Sequence, residues 1–209
     1  MTAPISFSSA LVLLSALLPQ SAVAAEAGPL PLGSPIPAAK HKLKGLDGKS
    51  TTIADVRGKK GILVIFTCNH CPYVKAWQTR ITELANAYPA KGIGVILVNA
   101  NDPSNYPEDD EAGMRARVSE LGLRAPYVVD TTSDVARAFG ARVTPEAFLF
   151  AADGKLAYHG TIDDNRSDPK KVSAHYLRDA LEAVVAGRKP ALAQTKSLGC
   201  GIKFRAAGR

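Results

Sequence analysis

Apolar runs in this sequence are short: none reaches the ~18 residues a membrane-crossing helix needs, so the chain is not expected to cross a bilayer. Cysteine is scarce, with three in 209 residues, which excludes a small disulfide-stapled scaffold. The odd count leaves at least one thiol without a partner in the chain. Charge is absent from residues 1–25, and acid is absent after Glu182. At 46% hydrophobic and 22% charged residues, the composition excludes both a disordered polymer and a coiled coil, and it points to a globular protein with its own core.

The formal net charge of +7 is concentrated rather than spread. Arg188, Lys189, Lys196, Lys203, Arg205 and Arg209 supply nearly all of it, and the body over 40–182 is close to neutral. A nucleic-acid surface, which needs basic and aromatic residues across one face, is therefore not expected. The uncharged start has a different meaning. Ala10–Leu18 is an apolar block of secretory length, followed by the small residues of Ala22-Val23-Ala24 at a cleavage position, so residues 1–24 read as a signal peptide and the mature protein as periplasmic or secreted. In such an oxidising compartment disulfides persist. Residues 25–39, rich in proline and glycine, read as a linker, 40–188 as one domain, and 189–209 as a basic C-terminal tail.

Within the domain the periodicities alternate. Asp47-Gly48 marks a turn between Lys42–Leu46 and Ser50–Ile53, an N-terminal hairpin. Gly61–Phe66 is a continuous, β-branched-rich run, as in a strand buried on both faces. Val74, Trp77, Ile81, Leu84 and Tyr88 then recur at helical spacing. Ile93–Val98 is a second strand, and Met114, Val118 and Leu121 mark a second helix. Tyr127–Val129 is a third strand, and Val135, Ala136 and Phe139 mark a third helix. Ala147–Phe150 and Leu156–Ile162 form a hairpin, and a last helix runs over about 168–186. This β-α-β-α-β-α-β-β-α order predicts an α/β fold with a central mixed sheet and helices on both faces.

The chemistry concentrates at the first strand-to-helix junction, Cys68-Asn69-His70-Cys71-Pro72. Two thiols separated by two residues at a helix start can form a reducible disulfide, and free N–H groups of the first turn together with the helix dipole favour a thiolate there. On this reading Cys68 is the outer, more acidic nucleophile, Cys71 the resolving thiol, and His70 an added source of charge or hydrogen bonding. The chain offers no second CxxC or HxxxH to complete a zinc site, and nothing in the pattern calls for a cofactor or resident metal. His159 and His175 read as an end-of-strand residue and a residue on the polar face of a helix.

These features together resemble the thioredoxin superfamily, and more narrowly its redoxin, peroxiredoxin-like members with a thioredoxin-type CxxC. The matching segments are Phe66–Val74, Asn99–Asp102 with Tyr106–Asp109, Thr144-Pro145-Glu146 leading into Phe148–Phe150, Tyr158–Gly160 with Asp163–Arg166, and Gly199–Lys203. The resemblance implies a thioredoxin-like fold and a cis Pro145 packed against the cysteine pair. It implies a Thr144 backbone that hydrogen-bonds a substrate strand, a mixed disulfide at Cys68, and protein thiols or disulfides as partners. Thr67 and Ile62 stand where thioredoxins carry a tryptophan and a buried acid, which leaves His70 and Glu146 as candidate proton acceptors for Cys71. Neither Cys68 nor Cys71 has the upstream hydroxyl spacing of peroxiredoxins, so hydroperoxide reduction is an alternative activity. A copper carrier of the SCO type, whose cysteines are spaced by three, is another. Cys200 is a candidate third redox thiol, able to pair with Cys68 or a partner, with its thiolate favoured by the basic residues around it.

Overall fold

The computed structural model describes residues 28–206, and the expected leader, residues 1–24, lies outside them. The chain runs β1 (Leu43–Gly45), β2 (Ser50–Thr51), α1 (Ile53–Val56), β3 (Gly61–Phe66), α2 (Pro72–Ala87), β4 (Ile93–Asn99) and α3 (Glu111–Leu121). It continues through β5 (Tyr127–Val129), α4 (Asp134–Phe139), β6 (Val143–Thr144), β7 (Glu146–Ala151), β8 (Leu156–Gly160), α5 (Tyr176–Val185) and β9 (Cys200–Gly201). One group of strands is ordered β2-β1-β5-β4 and another β3-β7-β8. They are joined where the Thr67 N–H, just past β3, donates to the Val98 carbonyl of β4 at 2.9 Å. β4 and β5 are parallel, β3 and β7 antiparallel, so the sheet is mixed as expected.

Alternation along β3 explains the layers. Leu63 and Ile65 enter one apolar cluster with Trp77, Ile81 and Leu84 of α2 and Leu177 and Leu181 of α5. Ile62, Val64 and Phe66 enter the other with Ile53 of α1 and Val135 and Phe139 of α4. Successive side chains of a strand point to opposite faces, so a run buried at every position demands a cover on both sides. The predicted face of α2 is buried, and it includes Tyr88 just beyond the helix. The expected α3 stripe is less deep, because only Met114 is buried and Val118 packs partly exposed.

Three expectations are corrected. The last helix begins at Tyr176 rather than near 168. Asp168 instead accepts from the Lys170 N–H at 3.0 Å and caps a single 3-10 turn, and Asp164 accepts from the Ser173 N–H, so local side-chain bonds replace helix. Residues 28–39 are not a free linker: Leu30 and Gly33 donate to the Phe139 and Leu156 carbonyls, and Leu30 and Ile36 pack against the α4 side of the core. Nor is the segment after 188 a free tail. The Thr195 N–H donates to the His159 carbonyl at 3.0 Å, β9 pairs with β6, and the Arg205 N–H donates to Ser133 Oγ at 2.9 Å. Small polar and glycine residues gave no periodic signal there, since the strand contacts are made one or two residues at a time.

Candidate active site

Pro72 at the first helical position starts α2, which makes Cys71 the N-cap and leaves Cys68 three residues before the cap. Both thiols are buried and unpaired. Across from them, Thr144 ends β6 and is joined to Pro145 by a cis peptide bond, as the resemblance implied. Thr144 touches both sulfurs: its Oγ1 lies 3.1 Å from Cys68 Sγ, and its carbonyl is 3.2 Å from Cys71 Sγ. β6 thus holds the cysteine pair from above, while Cys68 also lines a cleft with Val74, Gln78, Ile81, Arg117 and Tyr127.

The two thiols act strongly on one another, and burial and nearby groups act on them unequally. The Cys68 thiol donates to Cys71, burial disfavours its charged form, and the Asp109 carboxylate is close, so its pKa is pushed far above the ordinary thiol range. Cys71 accepts from the Cys68 thiol and, against the cost of burial, from the Cys200 thiol and the Val74 N–H, which brings it down to about 4. The reduced pair therefore titrates as a unit in which each sulfur sets the acidity of the other. The helix boundary contributes to the lowering of Cys71, which is the N-cap residue and has the Val74 N–H of the first turn acting on its sulfur. The Thr144 carbonyl opposes a charge on Cys71 and accepts its S–H once it is protonated.

The residues between the cysteines are held by a buried carboxylate that sequence reasoning left without a role. Asp109 Oδ1 accepts from the Asn69 N–H at 2.6 Å and the His70 N–H at 3.3 Å. Its Oδ2 accepts from His70 Nδ1 at 2.6 Å and Asn101 Nδ2 at 2.9 Å. The His70 ring stacks on Tyr106 with centroids 3.8 Å apart, and the Asn69 side chain bridges the Glu108 carbonyl and Tyr127 Oη. Asn101 and Asp109 belong to matched segments, yet only the fold brings them under the motif. A Cys68 sulfur, a His70 nitrogen and an Asp109 oxygen lie within 4.8 Å of one another, a spacing compatible with a cation. Asp109, however, already accepts from four donors.

Neither candidate proton acceptor for Cys71 is free. His70 is bound to Asp109, and Glu146 Oε1 faces His159 Nε2 at 2.7 Å. Glu146 also accepts from the Arg142 and Val143 N–H groups and from Ser197 Oγ. Burial disfavours its charge, but His159 and the two N–H groups outweigh burial and hold it below the usual carboxylate range. His159 is thus committed to Glu146 and stacked on Phe148, away from a thiol ligand set, and His175 is the N-cap residue of α5. Cys200, opposite Thr144 in the β6–β9 register, packs against Cys68, Cys71 and Val74. Burial, the hydrogen bond to Cys71 and the charge there push it up to about 11, against the pull of Lys203, so the basic surroundings do not make it a thiolate.

The comparisons with known proteins agree with this architecture. The Redoxin family model matches residues 31–175, and the chain belongs to that family. Among individual proteins, it is 29% identical over 114 residues to the thiol-disulfide oxidoreductase ResA of Halalkalibacterium halodurans, a match covering 54% of this chain and 60% of the relative. The chain therefore spans less than two thirds of the length of that curated relative. A conserved protein from Geobacillus kaustophilus superposes with a TM-score of 0.78 at 37% identity, covering 85% of this chain and 94% of the other. A hypothetical protein from Sinorhizobium meliloti 1021 gives 0.77 at 34% identity, over 85% and 96%.

Proposed function

We propose that this protein is an exported thiol–disulfide oxidoreductase that exchanges disulfides with protein partners through Cys68 and Cys71. The observation that carries the reading is the placement of two unpaired sulfurs at the start of α2, both in contact with Thr144, at 3.1 and 3.2 Å. The activity named for the ResA relatives and the redoxin membership support it. The leader-like residues 1–24 support export, and among the described residues no helix is long and apolar enough to cross a membrane.

In the exchange, Cys68 sulfur attacks one sulfur of a partner disulfide as its proton passes to Cys71, where the Thr144 carbonyl accepts the new S–H. The partner S–S bond breaks and one partner sulfur leaves as a thiolate. That thiolate takes the proton from Cys71. Cys71 then attacks Cys68, closing the Cys68–Cys71 disulfide and releasing the second partner sulfur. The partner gains two electrons and the cysteine pair loses two; the reverse sequence oxidises a partner. The buried His70–Asp109 contact acts by positioning the CxxC backbone.

The reading is tested by equilibrating the purified protein in glutathione redox buffers and counting alkylated thiols by mass. A single two-electron couple is expected. A potential near about −270 mV would mark a reductant and one near about −120 mV an oxidant. A Cys71→Ser variant should accumulate a mixed disulfide with a small peptide disulfide at Cys68. Absence of exchange in both experiments refutes the proposal.

A further inference from the structure

We propose that Cys200 is a working member of the redox site, forming a second, alternative disulfide with Cys71 while β9 lies paired along β6. This rests on the exchange activity proposed above. Three observations carry it. Cys200 stands in register with Thr144, the residue whose hydroxyl and carbonyl contact Cys68 and Cys71, and its side chain packs in the same small cluster as both. The segment bearing it is stitched down on either side: Ser197 Oγ donates to Glu146, and the Lys203 N–H donates to Asn101 Oδ1 at 2.8 Å. Gly199 lets the backbones meet, since a Cβ there would lie 2.2 Å from the Thr144 carbonyl oxygen. The redoxin match ends at 175, so this closing strand lies outside that match.

The position of β9 has a further meaning. Among the described residues β6 pairs with β9 alone, so an extended partner segment reaching for the Val143–Thr144 edge meets the chain's own strand, with a cysteine already at the sulfurs. Starting from the Cys68–Cys71 disulfide, the Cys200 sulfur attacks Cys71 Sγ as its thiol proton leaves. The Cys71–Cys200 bond forms, the Cys68–Cys71 bond breaks, and Cys68 leaves with the electron pair and takes the proton that Cys200 lost. No net oxidation occurs. The disulfide moves by one partner, Cys68 becomes a free thiol, and β9 is covalently fastened over the β6 edge. Cys200 stands in register with Thr144, whose carbonyl touches Cys71 Sγ, and both its side chain and its backbone act on the Cys71 sulfur, which assigns Cys71 as the partner.

Trypsin separates the sites conveniently: Cys68 and Cys71 fall in the peptide 61–75 and Cys200 in 197–203. The full chain is oxidised with diamide at low protein concentration, blocked with iodoacetamide and mapped without reduction. In Cys68→Ser the expected result is a monomer whose 61–75 and 197–203 peptides are linked. In Cys71→Ser that link should fall at least tenfold. Gly199→Val, which drives β9 off Thr144, should lose the link while keeping the internal 61–75 disulfide. A Cys68→Ser monomer with free Cys71 and Cys200 thiols overturns the proposal. So does a link that forms equally well in Gly199→Val. Failure of the wild-type 61–75 disulfide to form or exchange overturns instead the function on which the proposal rests. Circular dichroism of each variant verifies folding, and the wild-type map, in which a 61–75 to 197–203 link is also expected, needs no variant.

Discussion

Replacing Asp109 with Asn separates what the buried carboxylate holds from what it charges. The side chain is fully buried, and Oδ1 of the amide can still accept from the Asn69 and His70 N–H groups. The NH2 group that replaces Oδ2 faces His70 Nδ1 and Asn101 Nδ2, so two donors meet a donor. Each hydrogen bond to a charged group contributes ~1.5–3 kcal/mol, which puts the loss of two at about 3–6 kcal/mol. For a chain of this size that is on the order of 10 °C in melting temperature. The same substitution removes a negative charge that raises the Cys68 pKa, so Cys68 should become more acidic and its alkylation by iodoacetamide faster. Thermal melts of the reduced protein and alkylation rates assigned to Cys68 by fragmentation of the 61–75 peptide read the two effects independently. A variant that melts within ~0.5 kcal/mol of wild type would refute the anchoring role. Slower alkylation of Cys68 would refute the electrostatic one.

Three other outcomes are expected. Because Cys71 is brought from 9.0 down to about 4, the folded reduced protein binds fewer protons than the unfolded chain between those values. Its stability from this group therefore rises with pH across that window and is lost as pH falls through about 4; the difference in melting temperature between reduced and oxidised protein, followed against pH, should show this slope and would be flat if Cys71 were an ordinary thiol. Glu146→Gln leaves His159, Ser197 and two N–H groups facing an amide, and should cost about 3 kcal/mol at neutral pH. Since Glu146 is held below the carboxylate range, wild type loses this contribution as pH falls through that depressed value, and denaturant midpoints of the two proteins should converge in acid. Finally, the raised Cys68 should react with stoichiometric hydrogen peroxide no faster than free cysteine, as measured by thiol loss; a rate a hundredfold higher would point to a peroxidase.

Much of this was legible from local pattern. The alternation-free β3, the Val74–Tyr88 helical face and the CxxC at their junction follow from neighbours in sequence, and so did the order of elements that makes the sheet mixed. What escaped depends on contacts across the fold. Asp109 reads as one acid among several on a polar stretch, and only the path from β4 to α3 carries it beneath Asn69 and His70. Cys71-Pro72 marks the helix start in the sequence, with proline at the first helical position, whereas the contacts of Thr144 and Cys200 with the two sulfurs come from far along the chain. Residues 193–205 have no period to read. Their single-residue pairings with His159, Thr144 and Asn101 exist because those partners were already in place, and a carbonyl or N–H leaves no trace in the sequence.

Trp77 is the only tryptophan in the chain, and it is sealed in the core on the helix that Cys71 caps, with its Nε1–H donating to Asp163 Oδ1 at 2.8 Å. An indole so shielded from water emits toward the blue, and Cys71 stands at the start of the same helix. A difference in its emission between the dithiol and disulfide forms would make it a label-free optical gauge of oxidation at the start of its own helix. Stopped-flow fluorescence can then time each electron-transfer event without any dye attached to the cysteines themselves.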